Sequence, residues 1–468
     1  MRASTLLFEE IQDAPPPWEL FELWADLPGS VLLDSGMGHE RLGRYSFLTC
    51  DPFLVLRSKN RGIEVEEGGK VQRFEGNPFV ELRRLLNYYR IPQRPPGLPP
   101  FLGGVIGYFG YDLCHHIERL PRTATDDLCV PDCWLGFYDN VLIYDWLEHR
   151  AYFAATTLCC GERPKESLER LKSMRQHIAR SQRKETRQRE YIASNFTREE
   201  YLRAVERAQE YIRAGDIFQV NLSQRLTAKI AGSPWDLYRQ LRQINPAPFG
   251  AYLNCRDVVI ASASPERFLK VRDRKVETRP IKGTRPRGRT QKEDRALRAE
   301  LMYSPKDRAE LVMIVDLERN DLGRVCEYGS VKVPELIVLE EYPTVFHLVS
   351  TVEGTLRKEC DIVDLLLAAF PGGSITGAPK IRAMEIIDEL EPTQRGPYTG
   401  SIGYIDFAGD ADLNIVIRTF IMKGDQVHFQ VGGGIVADSV PELEYEETLH
   451  KARALIKAVR KEASSWNR

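Results

Sequence analysis

The chain has 468 residues, 43% of them hydrophobic, enough for a sizeable core and, by the usual size of domains, about two to four of them. Lys and Arg total 65 against 67 Asp and Glu, and a net charge of −2 offers no basis for nucleic acid or an anionic membrane as partner. Residues 1–10 hold no apolar run of signal-peptide length, and no stretch approaches the roughly 18 uninterrupted apolar residues of a membrane span. Nine cysteines are scattered; Cys129 and Cys133 resemble half a zinc site, but no matching Cys/His pair follows. Free or buried thiols in a reducing cytoplasm are the expectation.

Residues 1–160 read as a β-rich region. Strands are expected over 31–36 and 44–48, and 139–145 with 151–156 alternate like a hairpin. Residues 101–111 are rich in glycine and aromatics, a composition that lets backbones approach closely. Residues 161–195 are highly charged and read as a surface helix running into a linker.

The third region, 196–463, opens with the capping box Thr197-Arg198-Glu199-Glu200, and Tyr201, Val205, Ala208 and Ile212 give its helix an apolar face. Phe218, Val220 and Leu222 then alternate with Gln219, Asn221 and Ser223, which puts a polar row on one strand face. Residues 278–288 set Lys282 among arginines, prolines and glycines; the composition predicts a shaped turn rather than a helix or a central strand, either a solvated loop or an anion site. Ser304-Pro305 starts a helix through about Leu317, and further helices are expected over 364–370, 379–390 and 441–463. Strands near 413–422 and 426–431 flank the hairpin composition Lys423-Gly424-Asp425.

Four sets of residues can carry chemistry. Asp307 and Glu310 share one helix face, and Glu444 and Glu447 share another, so the two helices together can hold Mg²⁺. For an isolated pair, surface ion pairing is the commoner explanation, since Glu447 and Lys451 stand at i,i+4. The loop 371–380 is glycine-rich before a helix start, as an anion cradle or a structural turn, and lacks the Gly-Lys-Ser/Thr ending of an ATP loop. Gly432, Gly433 and Gly434 follow a strand, either for close approach to a ligand carboxylate or as a bulge. Arg418, in a predicted strand, needs a partner that a planar carboxylate would supply, and His347 alone reads as a core histidine.

Together these stretches resemble the chorismate-utilising enzymes. The resemblance is carried by residues 218–225 (FQVNLSQR), 264–268 (SPERF), 279–284 (RPIKGT), 306–310 (KDRAE), 314–317 with 319–321, the 372–380 loop, 433–439 and 444–448. It covers most of 197–457, and more loosely residues 32–35 and 44–47. It implies an α/β (α+β) chorismate-binding fold, with two packed antiparallel β-sheets and helices on the outside.

It also implies roles. Family members that use water as nucleophile carry lysine where this chain has Gln219. Anthranilate-forming members typically have alanine where it has Lys282, and members that form 4-amino-4-deoxychorismate have lysine. Lys282 would therefore attack chorismate covalently on the route to p-aminobenzoate and folate. Burial or nearby cations would keep its amine neutral, with Arg279 and Arg285 either among those cations or facing solvent. Glu266 would be the general acid for the departing hydroxyl, with His347 beside it. Glu310 and Glu447, with Asp307 and Glu444 around them, would hold Mg²⁺. Thr376, Gln219, Lys451 and the backbone of Gly432, Gly433 and Gly434 would border the substrate, and Tyr404 with Arg418 would hold its enolpyruvyl carboxylate. Ammonia would come from a separate glutamine amidotransferase subunit, because no glutaminase signature is present. Asp34, Ser35, Arg44, Tyr45 and Ser46 resemble a tryptophan pocket, and ordinary strand packing explains them as well. Two rivals stand beside this reading: an anthranilate-forming enzyme and a catalytically idle tryptophan-sensing subunit.

Overall fold

The computed structural model describes residues 6–36, 42–91, 94, 97–156, 191–230, 232–342 and 345–460. The charged helix and linker expected over 161–195 lie almost wholly outside the described residues, as do Cys159 and Cys160.

Strand alternation builds a layered body. Along Leu54–Lys59, Leu54 and Leu56 join one apolar cluster while Val55 joins another. Along Phe249–Asn254, Ala251 and Leu253 face the cluster of Val55, and Tyr252 faces the opposite way. Successive side chains of a strand point to opposite faces, so the shared cluster is the core between two sheets. The helices Pro78–Tyr88, Pro305–Gly323 and Ile362–Ala369 supply the outer face of one sheet. Pro17–Phe21, Pro234–Ile244 and Pro441–Val459 supply that of the other. Arg198–Arg213 and Lys380–Leu390 pack on the strand Gln219–Lys229.

Among the described residues each sheet has 12 strands, all paired antiparallel. The first runs Leu6–Ile11, Arg150–Thr156, Asn140–Asp145, Tyr45–Thr49, Val31–Asp34, Phe249–Asn254, Val259–Ser264, Thr419–Lys423, Gln426–Ile435, Gln219–Lys229 and Ala193–Ser194, with Gly377–Ala378 also on Gln219–Lys229. The second runs Ile281–Pro286, Val345–Thr355, Lys275–Arg279, Arg267–Arg272, Ala411–Asn414, Ser401–Asp406, Gly104–Phe109, Cys133–Tyr138, Leu54–Lys59, Gly62–Glu67 and Lys70–Glu75, with Lys332–Glu341 on Val345–Thr355. The regions 1–160 and 196–463 interleave in both: Val31–Asp34 pairs with Phe249–Asn254, and Gly104–Phe109 with Ser401–Asp406.

Local signals act as expected at several ends. Thr197 and Glu200 form the reciprocal capping box of Arg198–Arg213, Ser304 caps Pro305–Gly323 through the Asp307 N–H, and Lys423 pairs with Gln426 across Gly424 at φ +60°. The predicted strand 413–422 is corrected. It is two strands, Ala411–Asn414 and Thr419–Lys423, in different sheets, so Arg418 lies at a crossover and not in a strand. Apolar residues continue through the break because both sides are buried, so hydropathy alone does not reveal it.

Asp112 is buried, accepts from the Gly396 N–H at 2.8 Å, and has its pKa raised to about 7 by burial and by nearby Asp132. The folded chain therefore holds this proton where the unfolded chain has lost it. Stability contributed by the protonated group is full at low pH, falls as pH rises from about 4 to 7, and levels above. Asp112→Asn keeps an acceptor for Gly396 and removes the charge; urea unfolding should show that part of the pH dependence reduced, by up to about 4 kcal/mol.

Candidate active site

The stretch expected as a turn, 278–288, is a bulged strand. Lys275–Arg279 and Ile281–Pro286 pair with the same strand, Val345–Thr355, and Pro280 interrupts them. Proline and glycine mark the local break but leave the ladder free to form on either side. The register slips between Lys282 and Thr284, where Gly283 takes the left-handed backbone at φ +77°. The bulge aims Lys282 at the 372–376 loop, where its Nζ donates to Ser374 O at 2.9 Å. Asn221 Nδ2 donates to the same oxygen at 3.0 Å. Loss of water pushes the lysine pKa below its ordinary value; Glu310 and Glu266 oppose the shift and Lys451 adds to it. Arg279 and Arg285 do not serve as the expected cations, because each is claimed by carboxylates. Arg279 pairs with Glu340 at 2.7 Å, and Arg285 with Glu300 at 2.7 Å and Asp307 at 3.2 Å.

Glu266 and Arg418 occupy two crossovers that run side by side. Glu266 lies where the chain leaves Val259–Ser264 in the first sheet for Arg267–Arg272 in the second, and Arg418 where it returns from the second to the first. Ile415 N donates to Glu266 O at 3.0 Å, Ala263 N to Arg418 O at 3.1 Å, and Ser264 Oγ to Ile415 O at 2.6 Å. Glu266 is 4% exposed, and burial raises its pKa against a hydrogen bond from the Ser374 hydroxyl and the charge of Lys282. Arg418 has a left-handed φ of +52°, donates to Asn245 Oδ1 at 3.3 Å, and makes no ion pair among the described residues. Burial lowers its pKa, opposed by Glu266. A half-buried guanidinium without a carboxylate suits a ligand anion. His347 is held by Thr284 Oγ1 at 2.8 Å on Nδ1 and by the Gly283 backbone; burial and Arg418 push its pKa down to about 3, so its imidazole is neutral.

Tyr404 is placed elsewhere, which corrects its pairing with Arg418. Its ring packs on Phe101 at 5.0 Å and Phe47 at 5.4 Å, and it lines the same cleft as Asp34, Ser35, Arg44 and Tyr45. Strand alternation decides this, since Tyr404 and Ile402 share the inter-sheet face of Ser401–Asp406. Buried Tyr398 is the tyrosine of the turn that meets the Arg418 crossover, because the neighbouring Thr399 N–H donates to Val416 O at 2.8 Å. In that other cleft Asp34 pairs with Arg242 and accepts from Tyr238 Oη at 3.1 Å. Ser46 stands behind the lining, accepting from Trp146 Nε1 at 2.9 Å and Ser35 N at 3.0 Å. Arg44 pairs with Asp145 at 2.7 Å.

The four carboxylates do not form one cage. Among the described residues no three His, Cys, Asp or Glu side chains are grouped closely enough to hold a metal ion by themselves. Asp307 packs beneath Gly283 toward Arg285, and Glu444 accepts from Ser439 Oγ at 2.6 Å with Lys306 at 3.6 Å. Glu447 pairs with Lys451 at 2.7 Å, and Lys451 Nζ also donates to Gly432 O at 2.9 Å. Burial raises the pKa of Glu310, with Asp307 and Glu447 adding to it, while Lys451 holds that of Glu447 low against burial. An atom at the Cβ position of Gly433 would stand 3.4 Å from Glu444 and 3.5 Å from Glu447. Glu310 and Glu447, carboxylates from two different helices that sense each other's charge, offer oxygen donors that fit Mg²⁺, which takes its other ligands from water and substrate.

Gln219 ties the first sheet to this group. It is fully buried, donates to Glu310 Oε2 at 3.5 Å, and its Oε1 has no partner among the described residues. Thr376 is also buried; its hydroxyl donates to Gly372 O at 3.0 Å and its carbonyl accepts from Asn221 N at 2.8 Å. The sequence reading passed over Ser374 as a site residue, although it lay inside the flagged loop, and Asn221, although it lay in the polar row.

Residues 53–457 match the model of the chorismate binding enzyme family. The chain is 44% identical over 437 residues to anthranilate synthase component 1 of Thermus thermophilus, covering 92% of each. It is 42% identical over 441 residues to aminodeoxychorismate synthase component 1 of Escherichia coli, covering 94% of this chain and 95% of the relative. The crystal structure of anthranilate synthase component I from Streptococcus pneumoniae superposes with a TM-score of 0.79 at 34% identity, covering 89% of this chain and 93% of that one. The chain belongs to the chorismate-binding enzymes. Within that family it is an aminodeoxychorismate or an anthranilate synthase component I, since relatives of both names match it at similar identity.

Gly434 tests the packing of the site. A Cβ there would fall 2.0 Å from Gln219 Nε2, so Gly434→Ala must displace the amide from Glu310. Chorismate turnover should fall at least about tenfold while circular dichroism still reports a folded chain.

Proposed function

We propose that this chain converts chorismate and ammonia to 4-amino-4-deoxychorismate, with ammonia delivered by a partner glutamine amidotransferase subunit. The observation that carries the reading is Lys282 itself, a half-buried amine held by Ser374 O between Glu266 and Glu310. Its lowered pKa favours the neutral, nucleophilic form. Lys282 attacks C2 of chorismate as the C4–O bond breaks, and Glu266, whose pKa burial raises toward the protonated form, gives its proton to the departing hydroxyl, which leaves as water. Ammonia then bonds to C4, the C2–N bond breaks and restores the neutral lysine amine, and a proton on the new C4 ammonium returns to the Glu266 carboxylate.

Neutral His347 donates or accepts a hydrogen bond near the leaving oxygen but carries no charge there. Arg418 takes a substrate carboxylate, for which its missing counter-ion leaves it free. Glu310 and Glu447 would hold Mg²⁺, which when bound supplies positive charge to anchor and polarise the ring carboxylate. Gln219 stands among these groups with an amide, which cannot deprotonate water, and this supports ammonia as the nucleophile.

Anthranilate formation is the second reading, favoured by relatives of that name that cover the chain equally well. Product analysis with chorismate, Mg²⁺ and ammonium salt separates them: aminodeoxychorismate is expected, whereas fluorescent anthranilate with pyruvate release would replace the reading. Lys282→Ala should lower turnover by at least about a hundredfold, and mass spectrometry of trapped wild-type enzyme should find the adduct on Lys282. Full activity in Lys282→Ala would remove the covalent step. Glu310→Gln should weaken the response to added Mg²⁺, and an unchanged Mg²⁺ titration would refute the metal assignment.

A further inference from the structure

Ser374 touches both residues that the proposed chemistry requires. Its carbonyl accepts from Lys282 Nζ at 2.9 Å and its hydroxyl bonds Glu266. The loop that carries Ser374 is short and glycine-rich, so its position has to be imposed from outside. The side chains that do so lie beneath it.

Arg395 is 2% exposed, and its planar fork bridges the loop and the neighbouring sheet. Nη1 donates to Ile375 O at 3.1 Å, next to Ser374 in the chain. Nη2 donates to Asn221 O at 2.8 Å, and the Asn221 side chain holds Ser374 O at 3.0 Å. Glu391 balances the buried charge, accepting from Arg395 Nε at 2.9 Å and Nη2 at 2.7 Å. Glu391 also receives Ser223 N at 2.9 Å and Ser223 Oγ at 2.8 Å, so it is tied to the same strand as Asn221. The guanidinium lies over the Tyr111 ring at 4.8 Å, which limits its movement from that side. A buried ion pair is weak evidence for net stability, because removing its charges from water offsets their attraction. Its value here is geometric, since one rigid fork addresses two carbonyls and a carboxylate at once.

We propose that Arg395, with its counter-ion Glu391 and with Asn221, is a positioning residue that holds the Ser374 peptide where it orients Lys282 and Glu266 together. None of the three touches the reacting atoms; they act through Ser374. The inference rests on the reading of Lys282 as the nucleophile.

Arg395→Lys and Asn221→Ala are the test, in the full-length chain with chorismate, Mg²⁺ and ammonium salt. Lysine keeps the charge but loses the fork; alanine removes the side-chain bond to Ser374 O and leaves the ion pair intact. Each should lower kcat by about tenfold or more, leave KM within about threefold, and slow formation of the Lys282 adduct by a factor similar to that in kcat. A general loosening of the fold would instead lower the fraction of folded enzyme, leaving kcat per folded molecule unchanged. If Arg395→Lys fails to fold, Asn221→Ala decides alone. A folded Asn221→Ala enzyme with kcat and adduct rate within about twofold of wild type overturns the inference. Lys282→Ala separates this from failure of the functional reading: an inactive Lys282→Ala beside a fully active Asn221→Ala removes only the positioning role, whereas an active Lys282→Ala removes both.

Discussion

Lys282 donates to a peptide carbonyl and not to a carboxylate. A carboxylate in that place would hold the ammonium form, because an opposite charge in hydrogen-bond contact favours ionisation. A carbonyl fixes the direction of the amine with less bias toward its charge. Burial then lowers the lysine pKa, and the more distant Glu310 and Glu266 only partly reverse the shift. Much of the neighbourhood follows from this contact. The bulge at Gly283 aims the lysine, the 372–376 loop presents the carbonyl, and Asn221 shares the same oxygen from the other sheet.

The site forms where the chain passes between sheets. Glu266 and Arg418 sit on adjacent crossovers that bond to each other through backbone groups, and each is poorly hydrated there. One step further along, Arg267 bonds Asp412 and Glu277 and lines the second cleft with Tyr404. The candidate active site and the cleft of Tyr404 therefore share strands. Alternation along a strand separates residues that are adjacent in sequence into different environments.

Much of the fold was legible. The capping box at Thr197, the helix start at Ser304-Pro305 and the hairpin of Asn140–Asp145 with Arg150–Thr156 are short-range events, governed by residues within a few positions of one another. Lys282, Glu266, Gln219, Glu310 and Arg418 were picked out on motif resemblance, and the fold brings them to one region. Tyr404 was misplaced because resemblance locates a residue along the chain and not on a strand face. Asp307 and Glu444, expected around the metal, each meet a cation from another element, Arg285 or Lys306, a pairing that helix-face spacing does not reveal.

The amino-acid sequence by itself determined the family, the presence of a lone lysine in a cationic segment shaped by proline and glycine, and the absence of lysine at Gln219, since these depend on residue identity. Only the tertiary structure decided that Lys282 meets a carbonyl, that Arg279 and Arg285 are already paired, and that Glu266 and Arg418 lie on adjoining crossovers. Those outcomes depend on which strand lies beside which, and the pairings span long stretches of chain that no local pattern encodes. The same long-range pairing joins residues 1–160 to residues 196–463 in both sheets, so the Lys282 site and the cleft of Tyr404 arise from one interleaved body.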